Sequence, residues 1–185
     1  MRIKELRIQN YRLLREISLT LAEKSTVIVG RNNTGKTSLT EIFRSFLSEN
    51  SKLKYEDFNL SSLSKFKVAL AAYAEDKDEA EIRKLLPTVE LEMRLDYRDD
   101  QADYGGLGDF ILDLNEEQIE TTVLIRHQLA DGKIKAFFEG LNPEEPIFYH
   151  RELKERISKF FETRALAIDP SDKGNSVPVD FAKVK

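Results

Sequence analysis

An α/β fold is predicted, built around a glycine-rich loop between a strand and a helix and continued by a mainly antiparallel β-meander. Three observations predict it. Residues 27–43 read VIVGRNNTGKTSLTEIF, in which an apolar run, a glycine-rich turn and an amphipathic segment follow one another. The segments on either side alternate apolar and polar residues with period two, as half-buried strands do. The composition, 185 residues with 41% hydrophobic and 34% charged, suits a soluble chain with one sizeable core.

Taken in order, Ile3, Leu6 and Ile8 stand among charged neighbours and predict a strand with one buried face. EISLTL repeats the pattern with Ile17, Leu19 and Leu21, so NYRLLR is the turn of an antiparallel pair. In STVIVG the continuous run Val27–Val29 predicts a strand covered on both faces, as in a parallel α/β core. Leu39, Ile42, Phe43, Phe46 and Leu47 then fall at helical spacing over 37–47. Residues 48–64 are polar and turn-rich, with Asp57 and Phe58 at their middle. Helices are expected over 65–73 and 79–86, the second stopped by Pro87. TVELEMRLDY alternates cleanly as a half-exposed strand, and RDDQADYGGLGD is loop-like. TTVLIRHQL and IKAFFEG around Asp131-Gly132 predict a β-hairpin. LNPEEP reads as a connector, 151–161 as a helix, RALAIDP as a short strand and SDKGNSVPVDFAKVK as a loop. The division is one partial domain over 1–185: strand pair, loop strand and helix to 50, a helical insertion over 51–88, antiparallel strands over 89–140, then helix, strand and tail.

The net charge of −4 argues against a uniformly basic nucleic-acid coat, and the absence of cysteine removes disulfides and thiolate zinc sites. No apolar run approaches the ~20 residues a membrane span needs, and MRIKELRIQNYR lacks the apolar core of a secretion signal. A cytoplasmic protein without a membrane partner is expected.

Gly30, Gly35, Lys36 and Thr37 fill every fixed place of G-x-x-x-x-G-K-[ST]. Glycines let backbone N–H groups curl around a β-phosphate at a helix N-terminus. Lys36 would reach the β- and γ-phosphates, and the Thr37 hydroxyl would ligate Mg²⁺. A random chain this long shows the pattern at roughly one in a hundred or less. The candidate nucleotide-binding residues are Gly30, Arg31, Asn32, Asn33, Thr34, Gly35, Lys36, Thr37 and Ser38, with Arg12 nearby. Asn32 and Asn33 suit either γ-phosphate contact or tight loop geometry. Arg12 suits a nucleotide contact, a DNA phosphate contact or a solvated turn.

The stretch IKELRIQNYRLLREISLTL, followed by STVIVGRNNTGKTSLTEIF, resembles the start of the ABC-type ATPases that include RecF, SMC-like proteins and the OLD-family endonucleases. The shared pattern is a strand, an asparagine-aromatic-arginine turn (Asn10, Tyr11, Arg12), a second strand, then G-x-N-x-x-G-K-[TS]. YEDFNL and LPTVELEMRLDY resemble the stretch after the first helix in OLD-type proteins. The resemblance is specific over 1–47 and looser to about 97. It implies an ABC-type head that binds ATP with Mg²⁺ and pairs with a second head, as a homodimer or higher homo-oligomer. It gives Lys36 and Thr37 their roles and makes Arg12 a nucleotide-proximal arginine. In OLD proteins a TOPRIM nuclease domain follows and cuts DNA.

A working site of that type also needs a strand ending in Asp-Glu, a Ser-Gly-Gly signature, a metal-contacting glutamine and a switch histidine. Asp113 and Asp169 end apolar runs without a following glutamate, and Asp169 is the better candidate for Mg²⁺. The glycines of YGGLGD suit a loop better than a signature. His127 and His150 read as structural, and nothing selects among Gln101, Gln118 and Gln128. The basic residues Arg2, Lys4, Arg7, Arg12 and Arg15 fit a DNA patch less well than a solvated strand face balanced by Glu5 and Glu16. Asp76, Asp78, Glu79, Asp99 and Asp100 read as solvated loop residues. The expectation is the ATP-binding and ATP-hydrolysing domain of an OLD-family endonuclease, with the nuclease domain outside this chain and negligible turnover by these residues alone. The alternatives are a RecF- or SMC-type repair ATPase and a nucleotide-gated dimerisation module.

Overall fold

The computed structural model describes residues 1–48, 52–98, 105–112, 119–169 and 176–180. The opening alternation builds a ribbon: β1 (Arg2–Tyr11) and β2 (Leu14–Thr20) pair antiparallel, with Ile8 opposite Ile17 and Tyr11 opposite Leu14. β3 (Val89–Asp96) lies on the other side of β1, so β1 is an interior strand. β4 (Glu120–Leu129), β5 (Phe161–Ile168) and β6 (Ser176–Val179) complete a six-stranded sheet in the order β2-β1-β3-β4-β5-β6, every pairing antiparallel.

Helices cover one face of this sheet: α1 (Lys36–Leu47), α2 (Ser64–Ala74), α3 (Glu79–Leu85), α4 (Ile134–Phe138) and α5 (Pro146–Phe160). Period two decides which strand residues meet them. Leu6 and Ile8, Val89, Leu91 and Met93, Val123 and Ile125, and Ala165 and Ala167 point inward and join Ile42, Phe46, Phe66, Phe137, Leu153 and Ile157 in one core. The opposite face carries charges of both signs. Arg94 meets Glu5 at 2.8 Å, Arg126 meets Glu90 at 2.7 Å, and Arg7 meets Glu5 at 2.9 Å. Lys4 is paired with Glu120 and Arg2 with Glu23.

Four expectations are corrected. Residues 25–30 form no strand, and the sheet has no parallel pair. A doubly buried strand needs hydrogen-bonding neighbours and two covers, and Val27, Ile28 and Val29 have neither: they are 82%, 43% and 85% exposed. The segment after Asp131-Gly132 is helix α4 rather than the second arm of a hairpin. Gly132 does turn the chain with φ 66°, but Ile134, Phe137 and Phe138 are buried at i, i+3, i+4 spacing, the helical period, and β5 takes the place beside β4. The tail supplies β6, whose Pro178 lacks an N–H and is tolerated at the sheet edge. Finally, α5 starts at Pro146, because a first-turn proline costs no hydrogen bond, so part of the expected connector is helical. The glycine-rich segment is described from Gly105, as a 3₁₀ turn ending at Phe110, whose carbonyl accepts a hydrogen bond from Thr121 Oγ1.

His127 is a structural residue of β4, 4% exposed, with its ring 5.6 Å from Phe161 and 6.1 Å from Phe58. Nδ1 shares a hydrogen bond of 3.0 Å with Thr163 Oγ1, while Nε2 is buried without a partner. Burial lowers its pKa to about 4, with Asp57 working in the opposite direction. The unfolded chain, whose histidine titrates near 6.5, therefore binds the extra proton first as the pH falls. Stability from this group is complete above pH 6.5 and is lost on going down to about pH 4. We expect unfolding free energy to drop by roughly 2 kcal/mol between pH 7.5 and pH 5 on this account. Urea titrations at the two pH values check it, and His127→Phe should flatten the difference.

Candidate nucleotide-binding site

The loop 30–35 enters α1 through Gly35, which has φ 88° and sits against the β1–β2 turn. A Cβ at Gly35 would lie 2.6 Å from Leu14 Cδ2 and 3.5 Å from Leu13 Cβ. Leu14 is itself buried, at 5% exposure, so it has little room to yield. Both the left-handed backbone and the close approach require glycine. Gly35→Ala is expected to cost about 2 kcal/mol, read as a lower urea midpoint at unchanged slope. Asn33 is also left-handed, with φ 64°, a conformation that asparagine tolerates.

Lys36 folds back over the loop and its ammonium donates to the carbonyls of Gly30 and Arg31, each at 2.5 Å. Thr34 Oγ1 donates to the same Arg31 carbonyl at 2.9 Å. The loop is thus closed by its own side chains, and a third ammonium donor remains. Arg31, Asn32, Asn33 and Thr34 are exposed, as is Thr37, whereas Ser38 faces inward. The first turn of α1 has no side-chain cap and no acidic residue. Its free N–H groups and positive dipole end therefore remain available to an anion, and an acidic first-turn residue would compete with one. Leu39, Ile42 and Phe46 anchor the helix beneath. These features suit a nucleotide's phosphates. Thr37 is the hydroxyl oxygen there that fits Mg²⁺, an ion that keeps water and phosphate oxygens in its shell.

The turn Asn10-Tyr11-Arg12 is built into this site from the side. Tyr11, fully buried, shares a hydrogen bond of 2.8 Å with Ser45 Oγ and so fastens β1 to α1. Asn10 and Arg12 both have positive φ, at 58° and 47°. Residues 57–59 hold them there: Arg12 N donates to the Asp57 carbonyl at 2.8 Å, and Asn59 N donates to the Asn10 carbonyl at 2.8 Å. Asn59 Nδ2 adds a bond of 2.5 Å to the Arg12 carbonyl. The Arg12 side chain donates from Nε to Asp57 Oδ1 at 2.8 Å and lies 5.1 Å from the centre of the Tyr11 ring. Partial burial opposes the charge of Arg12, but the bond and charge of Asp57 prevail and its pKa is raised.

Not every residue singled out in the sequence is brought to the loop. Asp169 follows the end of β5, where Ile168 is level with Thr122, Arg94 and Glu5. The loop lies at the other end of β1, six residues along and three strands across, a separation on the order of 20 Å. Asp169 therefore does not meet Thr37, and the expected pairing of the two around Mg²⁺ is not formed in this structure. Asp113, Gln101, Gln118, Asp99 and Asp100 lie outside the described residues. Gln128 is on the charged face of β4, beside Arg126, and His150 accepts or donates a 3.0 Å hydrogen bond with Tyr55. Among the described residues no cluster of three metal-ligating side chains occurs. Sequence reasoning passed over Asp57 and Asn59. Both are buried, at 8% and 9% exposure, and no spacing in the sequence marks them.

Fold and site together suit an α/β nucleotide-binding domain. The chain matches the model of the AAA ATPase domain over residues 1–178, and so belongs to that family of ATP-binding and ATP-hydrolysing domains. No curated protein matches it. No helix among the described residues is long and apolar enough to cross a membrane.

Proposed function

We propose that this chain is the ATP-binding portion of an OLD-family ATP-dependent DNA endonuclease, acting as a homodimer or higher homo-oligomer in the cytoplasm. Residues 1–185 would make one partial ABC-type head, and DNA cleavage would belong to a nuclease domain outside them. The carrying observation is the close approach of Gly35 to Leu13 and Leu14, the residues that directly follow Asn10-Tyr11-Arg12. That arrangement joins the two motifs on which the family resemblance rests.

In this reading the first-turn N–H groups of α1 and the Lys36 ammonium hold the β- and γ-phosphates, and the Thr37 hydroxyl faces Mg²⁺ carried by the nucleotide. Bound Mg²⁺ supplies charge neutralisation between the phosphates. Exposed Arg31–Thr34 would lie open to a second head. The residues that activate water would belong to the rest of the polypeptide, so weak binding with negligible turnover is expected from this chain alone.

The test is calorimetric titration with Mg-ATP of the chain and of Lys36→Ala, with plasmid cleavage by the native full-length polypeptide as the second assay. Binding that needs Lys36, and DNA cleavage that responds to ATP, support the reading. Binding indifferent to Lys36 removes the nucleotide site. A polypeptide that hydrolyses ATP but leaves DNA intact removes the endonuclease.

A further inference from the structure

We infer that Asp57 is a positioning residue for Arg12, and that the pair forms a rigid wall of the phosphate site. This deepens the nucleotide-binding reading above and rests on it.

Asp57 has both carboxylate oxygens engaged. Oδ1 accepts from Arg12 Nε and lies 2.8 Å from Arg12 Nη2, while Oδ2 accepts from the Lys54 backbone N–H at 2.9 Å. Two of the five guanidinium N–H groups are thereby fixed, and three remain on a side chain that is 38% exposed. The Tyr11 ring limits the guanidinium on another side. Arg12 is next in sequence to Leu13, whose Cβ is 3.5 Å from the position a Gly35 Cβ would take, and its charge also interacts with that of Glu41, one turn along α1 from Thr37, so the turn that carries its remaining donors borders the phosphate loop. The left-handed φ of 47° at a residue other than glycine or asparagine is a conformation that ordinarily relaxes, at a cost of about 1 kcal/mol to keep. The bonds from 57–59 keep it. A surface arginine that served only solubility would need neither the strained turn nor a buried carboxylate with both oxygens satisfied.

The alternative role for Asp57 is to neutralise Arg12, and it predicts the opposite effect. Removing the carboxylate charge would then strengthen attraction for phosphate. If Asp57 positions the fork, removing it weakens phosphate binding even though the site becomes more positive.

The experiment is a double-mutant cycle on Mg-ATP affinity, with Arg12→Ala, Asp57→Asn and both together, each confirmed as folded by cooperative thermal unfolding. Arg12→Ala is expected to raise Kd about tenfold and Asp57→Asn about fivefold, while the double variant is no weaker than Arg12→Ala alone. A purely structural role for Asp57 gives independent, multiplying losses. Arg12→Lys, which keeps the charge and loses the planar fork, should bind almost as weakly as Arg12→Ala, and it remains informative if Asp57→Asn does not fold. Asp57→Asn binding as well as or better than the parent, additive losses, or Arg12→Lys binding like the parent each overturn the assignment. Lys36→Ala, run in parallel, reads the nucleotide site itself: if binding ignores Lys36, the broader reading fails and the wall falls with it, whereas a lost Lys36→Ala with an unaffected Asp57→Asn overturns only the wall.

Discussion

Lys36→Ala should lose at least about 100-fold in affinity for Mg-ATP while unfolding at nearly the parent temperature. The ammonium is the charge at a fixed place of the motif, and each charge-assisted bond to a phosphate contributes about 1.5–3 kcal/mol. Two such bonds, the second made when the ammonium leaves one loop carbonyl for a phosphate oxygen, correspond to roughly 10²-fold or more in Kd. The effect on the fold is small for a different reason. The carbonyls that Lys36 bridges, Gly30 and Arg31, belong to exposed residues, and water replaces the ammonium there. Affinity by calorimetry and midpoint by thermal denaturation separate the two quantities. A variant that keeps its affinity would show that the loop does not hold phosphate through this lysine.

Phe58→Ala should be the most damaging single truncation near the site, at about 3–5 kcal/mol. Phe58 is 3% exposed and lies at the centre of an aromatic group, with its ring 5.6 Å from Phe66, 5.8 Å from Phe161 and 6.1 Å from His127. Its backbone also bridges to Tyr11. Truncation leaves a cavity among side chains drawn from β4, β5 and α2, which cannot all close on it. For a chain of this size the midpoint should fall by about 10 °C. The neighbouring bonds of Asp57 and Asn59 to the Arg12 turn depend on the same anchor, so loss of nucleotide affinity should accompany the loss of stability. Thermal unfolding and Mg-ATP titration of the one variant read both.

The elements that were legible in the sequence are those whose periodicity is local. The alternation of Ile3, Leu6 and Ile8 and of Val89, Leu91 and Met93 placed β1 and β3, and the spacing of Leu39, Ile42 and Phe46 placed α1. Motif spacing singled out the phosphate loop for the same reason: its glycines and lysine act through neighbouring backbone. Misreadings arose where pairing partners decide the structure. Val27–Val29 has the composition of a buried strand and no strand beside it, and residues 134–138 were drawn towards a hairpin by Asp131-Gly132 although their apolar positions carry the helical period. Asp57 was illegible because its importance comes from Arg12, 45 residues away, and sequence spacing holds no record of that bond.

The position of β1 inside the sheet has a consequence for amide exchange. Its last residues are hydrogen-bonded to β2 and β3, fastened to α1 through Tyr11, and bridged to Phe58. Their N–H groups should open only in the rarest, most global fluctuations. On the far side of the phosphate loop, residues 23–30 are all exposed and outside any helix or strand, and should exchange almost as fast as free peptide. Among the described residues, solvent deuterium would therefore find very slow and very fast backbone meeting at one loop, with the glycine-lysine segment as the boundary between them.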